Sequence, residues 1–354
     1  MPPTATAVTA ARQRAATVFR GEVPAKHVRR AVALTLPFLA TTFGACSGPQ
    51  SALDPAGLEA SRLATLFWWM LIGSGIVWAA VLYLGLRATK HRPDRDTARQ
   101  ARLLVIGGGV ALPTVVLTVL LIVGLAELPD YLEPPPRDAL RIRVIGEQYW
   151  WRVEYPQSGD APVTLANEIR LPVGEPVEFE LLSPDVIHSF WIPALGGKMD
   201  MIPGRRNRLR LTAGRTGEFR GVCAEFCGTS HAWMAFPVVV MERAEFDAWL
   251  EQQRSPAASP APAVHGGQAA FLANGCGACH TVRGSPADGV VGPDLTHVGS
   301  RLSLGAGVLG NEIDDFVRWI AETDRVKPGV LMPHFGMLPQ DELRALAAYL
   351  DSLQ

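Results

Sequence analysis

Two uninterrupted apolar runs constrain the fold of this chain more than any other feature. Residues 63–86 and 103–125 contain no charged side chain, and each exceeds the roughly 20 residues that a helix needs to cross the hydrocarbon core. Arginines and lysines are concentrated between them, at 87–102. Because cytoplasmic loops of membrane proteins are rich in basic residues, this loop is predicted to be cytoplasmic. Residues 60–130 are therefore predicted to form a two-helix transmembrane hairpin, with the rest of the chain exported.

The residues before the hairpin have the pattern of an export signal. Residues 1–30 are polar and basic, an apolar run follows at 31–44, and small residues precede Cys46. The run is too short to span a bilayer, which predicts a signal peptide over residues 1–45. The end of this segment resembles a bacterial lipobox, which implies a lipid anchor on Cys46. Ordinary signal cleavage and an uncleaved anchor are the alternatives.

After the hairpin, the chain divides by pattern into two domains. Residues 138–250 show short alternating apolar runs separated by Pro and Gly, which predicts a small antiparallel β-sandwich or barrel. Residues 251–265 are rich in Pro, Ala and Ser, typical of a linker. Residues 266–354 indicate a small helical domain. The net charge of −1, without a basic stripe, gives no signal for nucleic acid.

Soft metal ligands are concentrated in one segment of the β domain. Cys223, Cys227, His231 and Met234 follow one another there, and His188 lies upstream. Thiolates, imidazoles and a thioether together suit copper better than magnesium or calcium, and a blue-copper site would need one cysteine rather than two. A disulfide between the two cysteines and a zinc site are the alternative interpretations.

This spacing resembles the dinuclear Cu-A centre of cytochrome c oxidase subunit II, a family whose exported domain is cupredoxin-like. The resemblance implies two coppers bridged by both cysteines, with one histidine on each copper. It implies a ligand set that consists of His188, Cys223, Cys227, His231, Met234 and the main-chain carbonyl of Glu225. It also implies that the side chain of Glu225 binds magnesium at the interface with subunit I.

An aromatic segment also matches the family, with two departures from its pattern. Tyr149, Trp150 and Trp151 are candidate electron-accepting aromatics, and core packing is the alternative for the two tryptophans. The family's electron-accepting tryptophan aligns with Tyr149, which puts direct donor access at that surface in question.

The second membrane helix lacks the glutamate with which it usually begins, as residues 103–109 show, so proton uptake through this subunit is also in question.

A haem-attachment motif stands in the last domain. In Cys276-Gly-Ala-Cys279-His280 two thiols can add across the haem vinyl groups while the adjacent histidine reaches the iron. A redox motif or half of a zinc site is the alternative, although a redox motif would need a βαβ context that is absent here.

The surrounding sequence resembles an all-α class I cytochrome c. The resemblance implies that the carbonyl of Pro293 orients His280 and that a methionine is the distal ligand. Met/His ligation raises the haem potential. The pattern of the ligand loop favours Met332, with Met337 as the alternative. The remaining histidines of the domain are interpreted as surface or turn residues, namely His265, His297 and His334.

Together the two resemblances imply a caa3-type subunit II of a haem–copper oxidase, in the bacterial inner membrane with both metal-binding domains on the periplasmic side. They imply subunit I with haem a and Cu-B, subunit III, and a soluble or membrane cytochrome c donor as partners. Electrons would pass through haem c and Cu-A to subunit I, which reduces oxygen to water with proton pumping. The alternatives are a nitric-oxide-reducing relative and a copper-binding assembly protein; a quinol oxidase subunit would lack these ligands.

Overall fold

The computed structural model describes residues 47–90, 97–132, 139–156 and 161–354. The predicted signal peptide and Cys46 lie outside the described residues, as does part of the basic loop between the apolar helices. The described chain comprises the membrane helices, a β domain and a helical carboxyl-terminal domain.

The two apolar runs form helices long enough to cross a membrane. Helix α1 spans Leu58–Lys90 with a mean hydropathy of 1.8, and the second candidate span, Arg99–Ala126, reaches 2.5. Large apolar side chains along both are exposed on the isolated chain, so lipid or a neighbouring subunit must cover them. The prediction of two such helices is confirmed, and both extend beyond the predicted limits.

The second membrane helix changes its winding partway along. Its parts are α2 (Thr97–Leu103), a π-helical segment (Leu104–Ala111) and α3 (Leu112–Leu132). In the wider turn the amide of Leu112 donates to the carbonyl of Gly107. The next residue, Pro113, has no amide hydrogen to donate to an α-helical turn. The wide turn therefore lies where Pro113 lacks a hydrogen-bond donor and residues 107–109, all glycine, have no side chains to pack.

Within the described residues, ten strands form the β domain as two five-stranded sheets. They are β1 (Leu140–Glu147), β2 (Trp150–Tyr155), β3 (Val163–Ala166), β4 (Ile169–Pro172), β5 (Pro176–Leu182), β6 (His188–Trp191), β7 (Met199–Met201), β8 (Asn207–Thr212), β9 (Gly217–Cys223) and β10 (Ala235–Met241). One sheet has the order β3-β2-β1-β5-β8, and the other β4-β10-β9-β6-β7. Alternating side chains bury one face of each sheet, and the cupredoxin-like sandwich predicted from the sequence is confirmed. The sheets are not wholly antiparallel as predicted, because β1 pairs with β5 and β4 with β10 in the parallel direction.

An aromatic cluster fills the space between the sheets. The ring of Trp151 meets those of Phe190 and Phe236 edge-on, with centroids 5.9 and 5.1 Å apart. All three side chains are fully buried, and burying a large apolar side chain contributes about 1.5–3 kcal/mol. The ring of His188 lies 6.3 Å from Trp151. The cluster thus packs beneath the ring of His188.

The first membrane helix is joined directly to the β domain. The carboxylate of Glu59, in the first turn of α1, accepts a hydrogen bond from the amide of Thr212 over 2.9 Å. The amides of Ala56 and Gly57 donate to the carbonyl of Ala194 at 2.7 and 3.0 Å. These contacts hold the base of the sandwich against the first turn of α1.

The Pro/Ala-rich stretch is not a free tether. Its first residues belong to helix α4, Arg243–Arg254. The guanidinium of Arg283 donates to the carbonyls of Gln253 and Arg254 at 2.7 and 2.8 Å, and the amide of Ala257 donates to the carbonyl of Arg283 at 2.9 Å. The predicted linker is therefore fixed along the carboxyl-terminal domain.

Helices enclose the apolar core of the carboxyl-terminal domain, as the sequence predicted. They are α5 (His265–Ala273), α6 (Ile313–Ala321), α7 (Thr323–Val326) and α8 (Gln340–Asp351). Helix α5 packs so closely on α8 that a side chain at Gly267 would overlap the carbonyl of Ala345. This pair of helices forms one wall of the cavity described below.

Candidate functional site

Two neighbouring strands and one loop bring the predicted copper ligands together. His188 begins β6, and Cys223 ends the adjacent strand β9. The copper loop, residues 223–234, then turns back before β10 begins. In chain order the loop also carries Cys227, His231 and Met234. The antiparallel pairing of β6 and β9 therefore places all five side chains at one end of the sandwich.

The donor atoms of these side chains form a compact chain of contacts. The sulfurs of Cys223 and Cys227 are 3.8 Å apart. Nδ1 of His188 lies 3.9 Å from Cys223 Sγ, and Nδ1 of His231 lies 3.7 Å from Cys227 Sγ. The sulfur of Met234 is 3.9 Å from Cys227 Sγ. Each histidine thus stands beside a different cysteine, and the thioether is on the His231 side.

The two cysteines are not joined by a disulfide bond. Their separation of 3.8 Å far exceeds the ~2.05 Å of a disulfide bond. The hydrogen bond between the two sulfurs, together with the one to His188, outweighs the effect of burial and lowers the pKa of Cys223 to about 3. The bond to Cys223 and burial both raise the pKa of Cys227. Copper would displace the proton held between them. Buried soft donors, with the carbonyl of Glu225 3.2 Å from Cys223 Sγ, fit a copper pair.

Asp185 orients the more deeply buried histidine. The Nε2–H of His188 donates to Oδ1 of Asp185 over 2.9 Å, which leaves Nδ1 facing Cys223. The carboxylate also accepts from the amides of Gln148 and Val186 at 2.7 and 2.6 Å. Although burial acts to raise the pKa of Asp185, these hydrogen bonds lower it overall. A carboxylate that fixes the outer nitrogen of a metal-binding histidine also fixes its tautomer.

The side chain expected to bind magnesium lies at the surface. Glu225 is exposed, and its Oε1 accepts a hydrogen bond from the amide of Phe226 over 3.3 Å. The carboxylate of Asp200, in strand β7, accepts a hydrogen bond from the ammonium of Lys198 over 2.8 Å. Within the described residues these acids do not form a metal-binding group, so magnesium at Glu225 would need ligands from another chain.

A cavity of about 580 Å³ lies beside the predicted attachment motif, lined mainly by the carboxyl-terminal domain and on one side by the β domain. The candidate haem residues line it together, namely Cys276, Cys279, His280 and Met332. Its apolar wall includes Phe271, Phe316 and Leu346. An apolar pocket of this size with two thiols and two iron-ligand types fits a covalently held haem.

The two candidate axial ligands differ in how they are held. The Nδ1–H of His280 donates to the carbonyl of Pro293 over 2.8 Å, which leaves Nε2 as the coordinating nitrogen. Burial lowers the pKa of His280, so its ring is neutral and can bind metal. Met332 lines the cavity, whereas Met337 is 70% exposed and does not. The geometry therefore favours Met332 as the distal ligand.

The three candidate electron-accepting aromatics have separate environments. Trp151 belongs to the core, as the alternative interpretation expected. Trp150 lines the haem cavity, with the guanidinium of Arg152 4.8 Å from its ring centroid. Tyr149 is only 6% exposed, and it also lines the cavity. A diffusing donor therefore has little access to Tyr149.

Tyr149 connects the haem cavity to the copper loop. Its hydroxyl oxygen accepts a hydrogen bond from the amide of Thr229 over 3.0 Å. Gly228 has φ +128°, and a side chain there would come within 2.5 Å of that oxygen. The glycine thus permits a close approach of the ring to the loop. The two sites share one tyrosine.

Several functional residues are not apparent from the sequence patterns. One feature of the sequence pointed to Asp185, namely its position three residues before the predicted ligand His188. No local pattern pointed to Gln148, whose side chain donates to the carbonyl of Cys227, or to Lys327, whose side chain donates to the carbonyl of Tyr149. Their partners are distant in the chain. His297, expected at the surface or in a turn, lies in a turn but is buried, with its ring nitrogens 2.7 and 3.0 Å from the carbonyl oxygens of Gln354 and Ser255. It ties the predicted linker to the carboxyl terminus.

Comparisons with known proteins agree with this division into sites. Residues 158–242 match the family described as cytochrome c oxidase subunit II, periplasmic domain, and residues 264–354 match cytochrome c. Cytochrome c oxidase subunit 2 of Alkalihalophilus pseudofirmus is 34% identical over 91% of this chain and 96% of its own length. That of Bacillus subtilis is 30% identical over 93% of this chain and 98% of its own.

Among solved structures, the periplasmic domain of subunit II of cytochrome oxidase from Bradyrhizobium japonicum is 36% identical. It matches 34% of this chain and 96% of that domain, with a TM-score of 0.32.

Proposed function

Because the chain belongs to the cytochrome c oxidase subunit II family, we propose that its two sites form an electron relay into subunit I of a haem–copper oxidase. Electrons are received in the carboxyl-terminal domain, cross to the copper loop beside Tyr149 and continue to subunit I, where oxygen is reduced to water with proton pumping. The observation that carries this relay is that the haem cavity and the copper loop share Tyr149.

The copper pair is assigned to the five side chains gathered at the end of the sandwich. The ligands are His188, Cys223, Cys227, His231 and Met234, with the carbonyl of Glu225. The bound metal supplies the redox chemistry. The chain contributes a dry, sulfur-rich pocket, and Asp185 holds His188 in the tautomer that ligation needs.

The haem is assigned to the cavity of the carboxyl-terminal domain. Cys276 and Cys279 would hold it covalently, and His280 and Met332 would bind its iron. The carbonyl of Pro293 orients the histidine. Arg301 lines the same cavity and provides positive charge for the haem carboxylates.

The external donor is a soluble or membrane cytochrome c that meets the apolar rim of this cavity. Val291 and Leu331 line the cavity and are 63% and 87% exposed. An exposed apolar rim suits brief contact with the haem edge of another cytochrome. The low exposure of Tyr149 supports electron uptake at this rim rather than at the β domain.

The chain is a membrane protein that works with subunit I, and we extend the proposal to its other neighbours. The exposed Glu225 carboxylate binds magnesium jointly with subunit I. Subunit III belongs to the same complex, in the inner membrane of a bacterium with both exported domains on the periplasmic side. Cys46 carries a lipid anchor. Family membership and the two apolar helices support the membrane location, and the lipobox-like sequence before Cys46 supports the anchor.

The test uses the purified oxidase complex and two complementary variants. The wild type should show the electron-spin resonance signal of one unpaired electron shared by two coppers, the absorption of haem c, and oxygen consumption with reduced cytochrome c. Cys223→Ser should lose the copper signal and keep haem c. Cys276→Ser should weaken haem attachment and keep the copper signal. A mononuclear copper signal in the wild type would contradict the proposal.

A further inference from the structure

Lys327 is unusual because it is almost completely buried. Its exposed fraction is 1%, whereas the side chain of Lys198 is 45% exposed. Burial of a lysine is costly unless its ammonium group finds hydrogen-bond acceptors. Desolvation by burial lowers the pKa of Lys327 to about 7. Such a residue needs a reason that the solvent-exposed lysines do not.

The ammonium of Lys327 bridges the two exported domains. It donates to the main-chain carbonyl of Tyr149 over 2.7 Å, and to that of Gly305 over 2.7 Å. Tyr149 belongs to the β domain, and Gly305 to the carboxyl-terminal domain that carries Lys327 itself. Among the described residues it forms no ion pair with a carboxylate, so both acceptors are uncharged. The contact therefore depends on the positions of two backbones.

The surrounding contacts show that this bridge lies within a docked interface. The amide of Ala235, at the end of the copper loop, donates to the carbonyl of Ala306 over 3.1 Å. Farther away, the amide of Leu302 donates to Glu168 over 2.9 Å. A side chain at Gly329 would lie 3.4 Å from the ring of Tyr149. Lys327 thus donates directly to the main chain of the tyrosine that both sites share.

We propose that Lys327 is a positioning residue that holds the haem cavity against Tyr149 and so sets the rate of electron transfer between the carboxyl-terminal domain and the copper loop. The inference deepens the proposed function and rests on it. Lys327 touches neither predicted metal site as a ligand. It acts through the backbone of Tyr149, whose side chain reaches the amide of Thr229.

A purely structural role within the carboxyl-terminal domain would give a different outcome. In that case the bond to Gly305 would matter and the bond to Tyr149 would not. Loss of Lys327 would then lower thermal stability without changing electron transfer in the molecules that remain folded. Asn311 provides a matched control, because its Nδ2 donates to the carbonyls of Val298 and Gly299 at 3.2 and 2.8 Å, both within the carboxyl-terminal domain.

The experiment compares Lys327→Met with Asn311→Ala in the complete oxidase. Haem c absorption, the haem midpoint potential and the copper resonance signal are recorded first, and intact signals show that the proposed sites are present. Transfer from haem c to copper is then followed after photoreduction of the haem. We expect Lys327→Met to slow transfer by about tenfold or more. Loss of this hydrogen-bond donor should lower the population of the docked arrangement by about that factor. Asn311→Ala should keep the wild-type rate.

Two results would overturn the proposal. One is wild-type transfer in Lys327→Met, and the other is an equal slowing in both variants. A second measurement needs no variant: in the detergent-solubilised wild-type oxidase, an amine-acylating reagent should modify the exposed Lys90 far faster than Lys327. Equal modification of the two lysines would show that the docked contact does not exist in solution, even if Lys327→Met failed to mature.

Discussion

The side-chain nitrogen of Gln148 donates a hydrogen bond to the main-chain oxygen of Cys227 over 2.6 Å. Gln148 also lines the haem cavity, as does the next residue, Tyr149. Two adjacent residues at the end of β1 therefore contact the copper loop on one side and the cavity on the other. This arrangement gives a short bonded connection between two sites that are far apart in the sequence.

Removal of the aromatic ring at Tyr149 should slow the step between the two sites. Tyr149→Leu removes both the ring and the hydroxyl that accepts from Thr229, whereas Tyr149→Phe keeps the ring. We expect the slowest photoreduced haem-to-copper transfer in the leucine variant, and an intermediate rate in the phenylalanine variant. Transfer at the wild-type rate in Tyr149→Leu would exclude this residue from the route.

Substitution of Asp185 should weaken copper binding without removing a ligand. Asp185→Asn replaces the carboxylate that accepts from His188 Nε2, so the ring is held less firmly. Loss of such a partner costs about 10–100-fold in metal affinity, measurable by competition with a copper chelator. Asp247→Asn is the control, because that carboxylate pairs with Arg243 on the exposed face of α4. Equal copper retention in both variants would contradict the role of Asp185.

The two methionines of the ligand loop should respond differently to truncation. Met332→Ala should lower the haem midpoint potential, because replacing a thioether ligand removes the stabilisation of reduced iron. Met337→Ala should leave the potential unchanged, since that side chain is 70% exposed. Redox titration of haem c absorption in the two variants distinguishes them. A fall in potential with Met337→Ala alone would reverse the assignment.

Tyr155 should stabilise the β domain in a pH-dependent way. Its hydroxyl donates to the carbonyl of Arg170 at 3.0 Å and accepts from the amide of Arg170 at 2.9 Å. Tyr155→Phe removes both bonds, at a cost of about 1–3 kcal/mol in unfolding free energy. Urea unfolding of the purified chain, followed by tryptophan fluorescence, should show this loss.

Burial raises the pKa of Tyr155 in the folded chain. The stabilisation is therefore fully present below the unfolded pKa of about 10 and is lost as pH rises above it, because only the unfolded phenol can ionise there. The stability difference between wild type and Tyr155→Phe should narrow above that pH. A difference that stays constant to pH 11 would contradict this interpretation.

Short motifs made the two sites predictable from sequence. The spacing from Cys223 to Met234 and the attachment motif ending in His280 specify ligand types close together in the chain, and a strand end or a single turn is enough to gather them. The apolar hairpin and the alternating strands were predictable for the same reason. Their signals are local periodicities, which solvent and membrane impose directly on the sequence.

Contacts between residues far apart in the chain could not be predicted in this way. The partner of Lys327 lies 178 residues away, and that of Gln148 lies 79 residues away, so no local pattern records either. The Pro/Ala-rich stretch has the composition of a free linker, yet Arg283 and His297 fix it through its carbonyls. Backbone carbonyls are the same in every residue type, which is why composition did not reveal these bonds.

Because the Pro/Ala-rich stretch is fixed, the carboxyl-terminal domain does not have to diffuse to the copper loop before each electron transfer. Movement of an electron across a permanently docked gap is insensitive to ionic strength, because no charged surfaces have to meet in solution. Encounter with a freely diffusing donor is sensitive to it, since long-range attraction sets the collision rate. A change in external salt concentration would then change the rate at which the external donor reduces the haem. The rate of internal transfer from haem to copper would stay the same.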